Sequence, residues 1–213
     1  MGLAAWSHPD RRGRGSPVPG SCELALIYRY QLFGLSVTSE IALTGVPHAS
    51  GDFPPQVAIR RAGLGGEADF RIEGVASFRI VDGCEILVEA APQADAQNIQ
   101  LYLLGTVMGR LLHQRGLLPL HANAVEIDGR AVVVLGSPGA GKSTLAASLN
   151  AAGAYLITDD LCVVRCFPDE QPLVAPGMPR LRLWGDALQA LRIRRLDLRR
   201  SYAGALDWDK WDV

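Results

Sequence analysis

Three groups of residues in this chain carry side chains suited to phosphate chemistry. The first is Gly136-Ser137-Pro138-Gly139-Ala140-Gly141-Lys142-Ser143, which fits the pattern G-x-x-x-x-G-K-[ST]. Glycines in such a run let successive backbone N–H groups converge on a phosphate, where side chains would obstruct them. A helix that starts at the lysine adds unpaired N–H donors and the positive end of its dipole. Lys142 can neutralise the β- and γ-phosphates, and the Ser143 hydroxyl can ligate Mg²⁺. The segment from Gly136 to Thr144 therefore predicts a nucleotide site. Of the 21 basic residues only Lys142 and Lys210 are lysines. Where lysine survives such a bias, its compact ammonium is needed in place of a planar fork.

The second group is Asp159-Asp160, which follows Ser143 by 16 and 17 residues. That gap holds one helix, a turn and a strand, so the pair falls at the C-terminal end of a strand, where ligands collect in open α/β sheets. One carboxylate can hold Mg²⁺ directly or through water, and the other can accept the proton of an attacking hydroxyl. Adjacent carboxylates repel, so a cation between them or one raised pKa is expected. The third group is His121 alone. Asp128-Gly129 reads as a two-residue hairpin turn pairing Ile127 with Arg130, and carrying that ladder onward sets His121 opposite Gly136. A ring there can bond a phosphate, orient a carboxylate, or simply satisfy backbone as a half-buried histidine.

The elements that must hold these residues read as an α/β core. Ala122–Ile127 and Arg130–Leu135 are hairpin strands, Lys142–Ala152 is a helix ended by Gly153, and Ala154–Ile157 is a strand. Because one helix joins them, strands Arg130–Leu135 and Ala154–Ile157 are predicted to be parallel. Upstream, Asp95 caps a helix running to about Gln114 and ending at Gly116, with Leu101, Leu104, Met108, Leu111 and Leu112 on one face. Its C-terminal Arg110, His113 and Arg115 suit the helix dipole. Residues 22–92 read as a β-rich N-terminal subdomain: Leu24–Tyr30, Val57–Arg60, Phe70–Ile72, and a hairpin of Ala76–Val81 with Cys84–Glu89 about Asp82-Gly83. Residues 1–21, rich in Gly, Pro, Ser and Arg, read as a disordered tail, and 93–213 as the catalytic core.

Composition limits the alternatives. The chain has 213 residues, 48% apolar and 20% charged, and mean hydropathy is +0.13, enough for a core without disulfides or metal. A net charge of −1 removes the electrostatic case for general nucleic-acid binding. No apolar run approaches about 18 residues, so no membrane span is expected, and residues 1–21 lack the apolar stretch of a secretory signal. A soluble, cytoplasmic protein is predicted. Cys22, Cys84, Cys162 and Cys166 are irregularly spaced, and residues four apart on a strand lie too far apart for one metal, so buried free thiols are expected.

Leu120-His121-Ala122-Asn123-Ala124-Val125, Gly136–Ser143 and Asp159-Asp160 together resemble the HPr kinase/phosphorylase family. The likeness is greatest to the HPr-kinase-related serine kinases, some of which accompany lasso-peptide biosynthesis. Residues 33–40 (Phe33 to Glu40) and 179–184 (Pro179 to Trp184) also look like that group, and the resemblance covers roughly residues 26–186. It implies a P-loop core of the HPr kinase C-terminal type, with Lys142 and Ser143 on ATP and Mg²⁺ and Asp159 as general base. Asp160 would assist as a magnesium or orienting group, and His121 would support the catalytic carboxylate. The implied reaction moves the γ-phosphoryl of ATP to a serine of HPr-like protein or of a ribosomal peptide precursor. The alternative is an ATP-binding regulatory module, or a simple NTPase, that transfers nothing.

Two features depart from the family. Its Glu-x-Arg-Gly signature is replaced by Ala-Pro-Gly-Met-Pro-Arg at 175–180, so reverse phosphorolysis is not implied. Related kinases continue beyond the equivalent of Val213, which implies a core shortened at its C-terminus. Arg180 and Arg182 read as surface salt-bridge partners or as a phosphate clamp in place of that signature. The run from Arg192 to Arg200 reads as a solvated basic face or a dock for an acidic peptide. Oligomeric state is open, and a homo-oligomer is compatible.

Overall fold

The computed structural model describes residues 26–51, 53–203 and 209–213. The predicted tail 1–21, Cys22 and the start of the strand predicted from Leu24 lie outside them. The chain is mixed α/β: a six-stranded mixed sheet and three small antiparallel sheets.

The large sheet comprises β1 (Tyr28–Leu32), β2 (Leu35–Ser39), β3 (Val57–Arg61), β4 (Phe70–Ile72), β5 (Ala76–Val81) and β6 (Glu85–Ala90), in the order β1-β2-β3-β6-β5-β4. β1 and β2 turn on Phe33-Gly34, whose φ angles of 53° and 71° suit a two-residue hairpin. The Asp82-Gly83 turn also has both φ angles positive, yet Val81 pairs with Glu85, so the loop holds three residues, not two. Cys84 is taken out of the ladder: its N–H bonds Val81 O at 3.0 Å, and its carbonyl accepts from Ala58 N–H of β3 at 2.9 Å.

Asp95 accepts a bond from Gln97 N–H at 2.7 Å and starts the predicted helix, which is not uniform. α1 (Ala96–Tyr102) passes through a π-helical turn, Leu103–Val107, into α2 (Met108–Gln114). The cause is legible in the side chains. Leu103, Val107 and Leu111, and likewise Leu104, Met108 and Leu112, repeat every four residues and are all buried. Four residues overshoot a 3.6-residue turn by about 40° per step, and a wider turn restores the stripe to the sheet. This helix shares one core with the six-stranded sheet, including Phe33, Phe78 and Ile86, and with Val163, Ala175 and Met178 from later in the chain.

Next come β7 (Leu118–Leu120), β8 (Asn123–Ile127), β9 (Arg130–Val134), α3 (Lys142–Ala151), β10 (Tyr155–Thr158), β11 (Cys162–Arg165) and β12 (Leu173–Ala175). β13 (Arg182–Trp184), α4 (Gly185–Ala190), β14 (Arg199–Arg200) and β15 (Lys210–Asp212) complete the chain. Asp128-Gly129 forms the expected turn, with Ile127 paired to Arg130. β9 and β10 do run in the same direction, but they are not neighbours, because β8 lies between them and is antiparallel to both. α3 spans that middle strand, packing Ala146 and Ala147 on Val125. Among the described residues no helix is long and apolar enough to cross a membrane.

The cysteines depart from expectation in part. Those described are free, but Cys84 and Cys166 are exposed, one diverted into its turn and the other just past β11. Cys162 is buried, and burial pushes its thiol up to about 11.

Candidate active site

The site is made where two antiparallel strands bend together. β7 and β8 are successive pieces of one path, as are β10 and β11. Thr158 pairs with Ala124 below the bend and Cys162 with Leu120 above it, in a single register. Each path changes sheet at this level, so His121 and Asp159-Asp160 are corner residues facing one another. The bend has local causes. Ile157 is the extra residue of a β-bulge that re-aims the strand end. Leu161 N–H bonds Asp159 O at 2.8 Å around Asp160, whose φ is +71°, a strained three-residue turn of the kind concentrated at functional positions.

The two carboxylates have different partners. Asp159 is 5% exposed. It accepts the Ser143 hydroxyl at 3.2 Å and the Arg182 backbone N–H at 2.7 Å. Burial raises its pKa above the usual carboxylate value, and the Arg182 N–H and charge pull the other way. Asp160 is half-buried and accepts the Arg182 guanidinium. The His121 ring lies beside it, Nδ1 being 3.1 Å from the Asp160 carbonyl and 3.4 Å from its carboxylate.

The glycine loop has the predicted form. Gly139 and Gly141 adopt φ of 81° and 83°, the second immediately before α3, a ten-residue helix. Lys142 is buried and lays its ammonium on the carbonyls of Gly136 (2.9 Å) and Ser137 (3.3 Å). A cavity of about 530 Å³ opens beside the loop. Pro138, Gly139, Gly141, Lys142, Ser143 and Thr144 line it together with His121, Asp160 and Arg182. Of the remaining loop residues, Gly136 and Ser137 contribute carbonyls to Lys142, and Ala140 closes the turn through its N–H to Ser137 O at 3.1 Å.

Four residues at this site had no role assigned from sequence. Asn123 is 1% exposed and lines the cavity, and neither its amide nitrogen nor its oxygen has a partner among the described residues. On β8 it shares a face with Val125, which packs under α3, so its side chain lies beneath the start of that helix. Trp184 and Lys210 line the same cavity from β13 and β15, with the Lys210 ammonium 5.6 Å from the Trp184 ring centre. Tyr202 borders a second cavity, where burial raises the phenol pKa. The lysine count was the only signal pointing to Lys210.

Arg180 and Arg182 do form salt bridges, but in partly buried positions and not on an open surface. Arg182 pins both aspartates, through its backbone and its guanidinium, and Arg180 pairs with Asp212 at 3.2 Å in a largely buried contact. The segment 175–180 also has a structural task. Met178 O accepts from Asp159 N–H at 3.1 Å, and Gly177 packs so closely on Thr158 and Phe33 that a Cβ there would collide with both.

A second cavity, of about 550 Å³, adjoins the first and shares His121, Asp160 and Arg182 with it. Its far wall is the π-helical turn and its flanks, with Tyr102, Gly105, Thr106 and Gly109.

The residues present suit a phosphate-bound Mg²⁺. Among the described residues no three His, Cys, Asp or Glu side chains cluster. Ser143 with Asp159 is the sparse donor set that Mg²⁺ uses when phosphate oxygens and waters complete its shell. Comparison with protein-family models and with curated proteins found no match.

Proposed function

We propose that this chain is an ATP-dependent serine kinase, its glycine loop, α3 and Asp-Asp corner forming a P-loop core of the HPr kinase type. The observation that carries the reading is the pair of cavities meeting at His121, Asp160 and Arg182. A donor site on one side of a catalytic carboxylate and an open second site on the other is what transfer requires. Hydrolysis needs only the first.

The geometry supports a division of labour that differs from the family's implied one. Asp159, buried and bonded to Ser143, suits the metal side. Asp160, beside His121 and facing both cavities, suits proton acceptance from the acceptor serine. Arg182 keeps that carboxylate aimed, and His121 steadies it from the other side. Lys142 moves from its loop carbonyls to the β- and γ-phosphates when nucleotide enters. Mg²⁺, when bound through Ser143 and Asp159, offsets charge on the phosphates. The acceptor is a serine on HPr-like protein or on a ribosomal peptide precursor.

The test is incubation with γ-labelled ATP, Mg²⁺ and a panel of HPr and serine-ended precursor peptides. Label is expected on a peptide serine, lost in Lys142→Ala. Asp160→Asn is expected to cut transfer at least 100-fold while retaining Mg·ATP affinity, and Asp159→Asn to weaken that affinity as well. Label recovered only as inorganic phosphate would favour the NTPase. Bound ATP with no release or transfer would favour the regulatory module.

A further inference from the structure

Both lysines of the chain line the same cavity, although they are 68 positions apart and the other basic residues are arginines. Lys142 arrives on helix α3 and Lys210 on strand β15. Where arginine is otherwise used throughout, two independent retentions of a compact ammonium facing one cavity indicate a shared ligand. A strongly hydrated point charge suits a phosphate oxygen approached end-on.

The charges around Lys210 favour the same ligand. Arg182 is committed to Asp160, Asp159 is engaged by Ser143 and the Arg182 backbone, and Asp209 is held by Arg195. Asp186, also on the cavity wall, accepts from its neighbour Ala187 N–H. Lys210 therefore makes no ion pair among the described residues, and its ammonium lies 5.6 Å from the centre of the Trp184 ring, a cation–π contact that orients it. Burial, followed by the nearby charge of Arg182, lowers its pKa, while the carboxylates of Asp160 and Asp159 pull the other way.

We propose that Lys210 is a second phosphate-binding lysine, which grips the terminal phosphate of the nucleotide from outside the glycine loop. This rests on the nucleotide-site reading above and deepens it. The terminal phosphate is assigned because Lys210 shares its cavity with the catalytic corner, His121 and Asp160, where the group to be transferred must lie. It gives the C-terminal strand a function in the site and supplies a cation where the family signature is missing.

The test is calorimetric titration of the full chain with Mg·ADP and with Mg·AMP-PNP, which differ by the terminal phosphate. Lys210→Met is expected to weaken Mg·AMP-PNP about tenfold or more and Mg·ADP less than about threefold, with the unfolding midpoint of the ligand-free protein unchanged. Lys210→Arg, which keeps the charge and the ring contact, should recover most of the loss. Equal losses for the two nucleotides, or none for either, would overturn the assignment while leaving the nucleotide site intact. A wild-type chain that binds neither nucleotide, or a Lys142→Ala chain that binds both normally, would overturn the site itself and this assignment with it. If Lys210→Met misfolds, Lys210→Gln is read by the same two titrations.

Discussion

Asp159 is 5% exposed, whereas the neighbouring Asp160 side chain is 31% exposed and shared by two cavities, and this difference separates their chemistry. Burial holds the Asp159 carboxyl above its ordinary pKa. Between the unfolded value and that raised one the folded protein binds more protons than the unfolded chain, so stability falls as pH rises through the window. Asp159→Asn removes the term and keeps an acceptor for the Arg182 N–H. In metal-free buffer near pH 7–8 the variant is expected to melt higher than wild type, by about 2–4 °C for each kcal/mol relieved. The gain should fade as pH falls toward the unfolded value and be gone by about pH 2–3, where Asp159 is protonated in both states; scanning calorimetry down to that range checks it. The residues legible at this scale were those with a type and a spacing of their own: the glycine loop, the aspartate pair and His121. Asn123, Trp184 and Tyr202 were not, and Lys210 only through the lysine count, because nothing local in the sequence marks a side chain that tertiary packing alone brings to the site.

The elements explain why the corner exists and where sequence reading stopped. The Asp128-Gly129 turn was legible because its two residues suit positive φ, but the ladder from it ends at Asn123–Val134, two pairs short of the expected pairing of His121 with Gly136, and His121 instead turns toward Asp160. Phe33-Gly34 performs the same task, but a buried phenylalanine at φ 53° gives no turn signal, so β2 went unread. The parallel relation of β9 and β10 was legible from the single crossover helix, whereas the insertion of β8 between them depends on tertiary pairing. The π-helical turn was readable only as an apolar repeat slightly too long for an α-helix, and it borders the second cavity. There Gly105 has open space around its missing Cβ, so a larger side chain enters the cavity and not the core. Gly105→Leu is expected to fold at least as stably as wild type, helped by helix propensity of up to about 1 kcal/mol. It should raise the KM for acceptor peptide at least tenfold and leave the nucleotide Kd unchanged, as steady-state kinetics and calorimetry would report.

Across the whole molecule, the last residues are bound into the site. β15 is the middle strand of its sheet, between β13 and β14. Leu181 and Val213 exchange backbone bonds, Ser201 donates to Asp212 at 2.7 Å, and Trp211 lies against the guanidinium groups of Arg195 and Arg200. Two arginines of the run read as a free basic face thus hold this strand. Arg182 and Trp184 of β13 pair directly with Asp212 and Lys210, so the position of β15 and the aim of the Arg182 guanidinium at Asp160 are coupled. Trp211→Ala is expected to cost about 2–4 kcal/mol through lost packing and cation–π contact. Hydrogen exchange should show faster opening of amides 181–184 and 210–213 in that variant, with little change in β1–β6. Uniform acceleration across the molecule would contradict this local coupling.

Transfer of a phosphoryl group is the central claim, and ³¹P NMR observes it without a label or a coupled assay. With the full chain, Mg·ATP and serine-bearing HPr and precursor peptides, a phosphomonoester resonance is expected to grow as the γ-phosphate signal declines, and to be absent with Lys142→Ala. A γ-phosphate that appears only as inorganic phosphate, at a rate indifferent to peptide, or that remains on ATP throughout, would contradict the kinase reading.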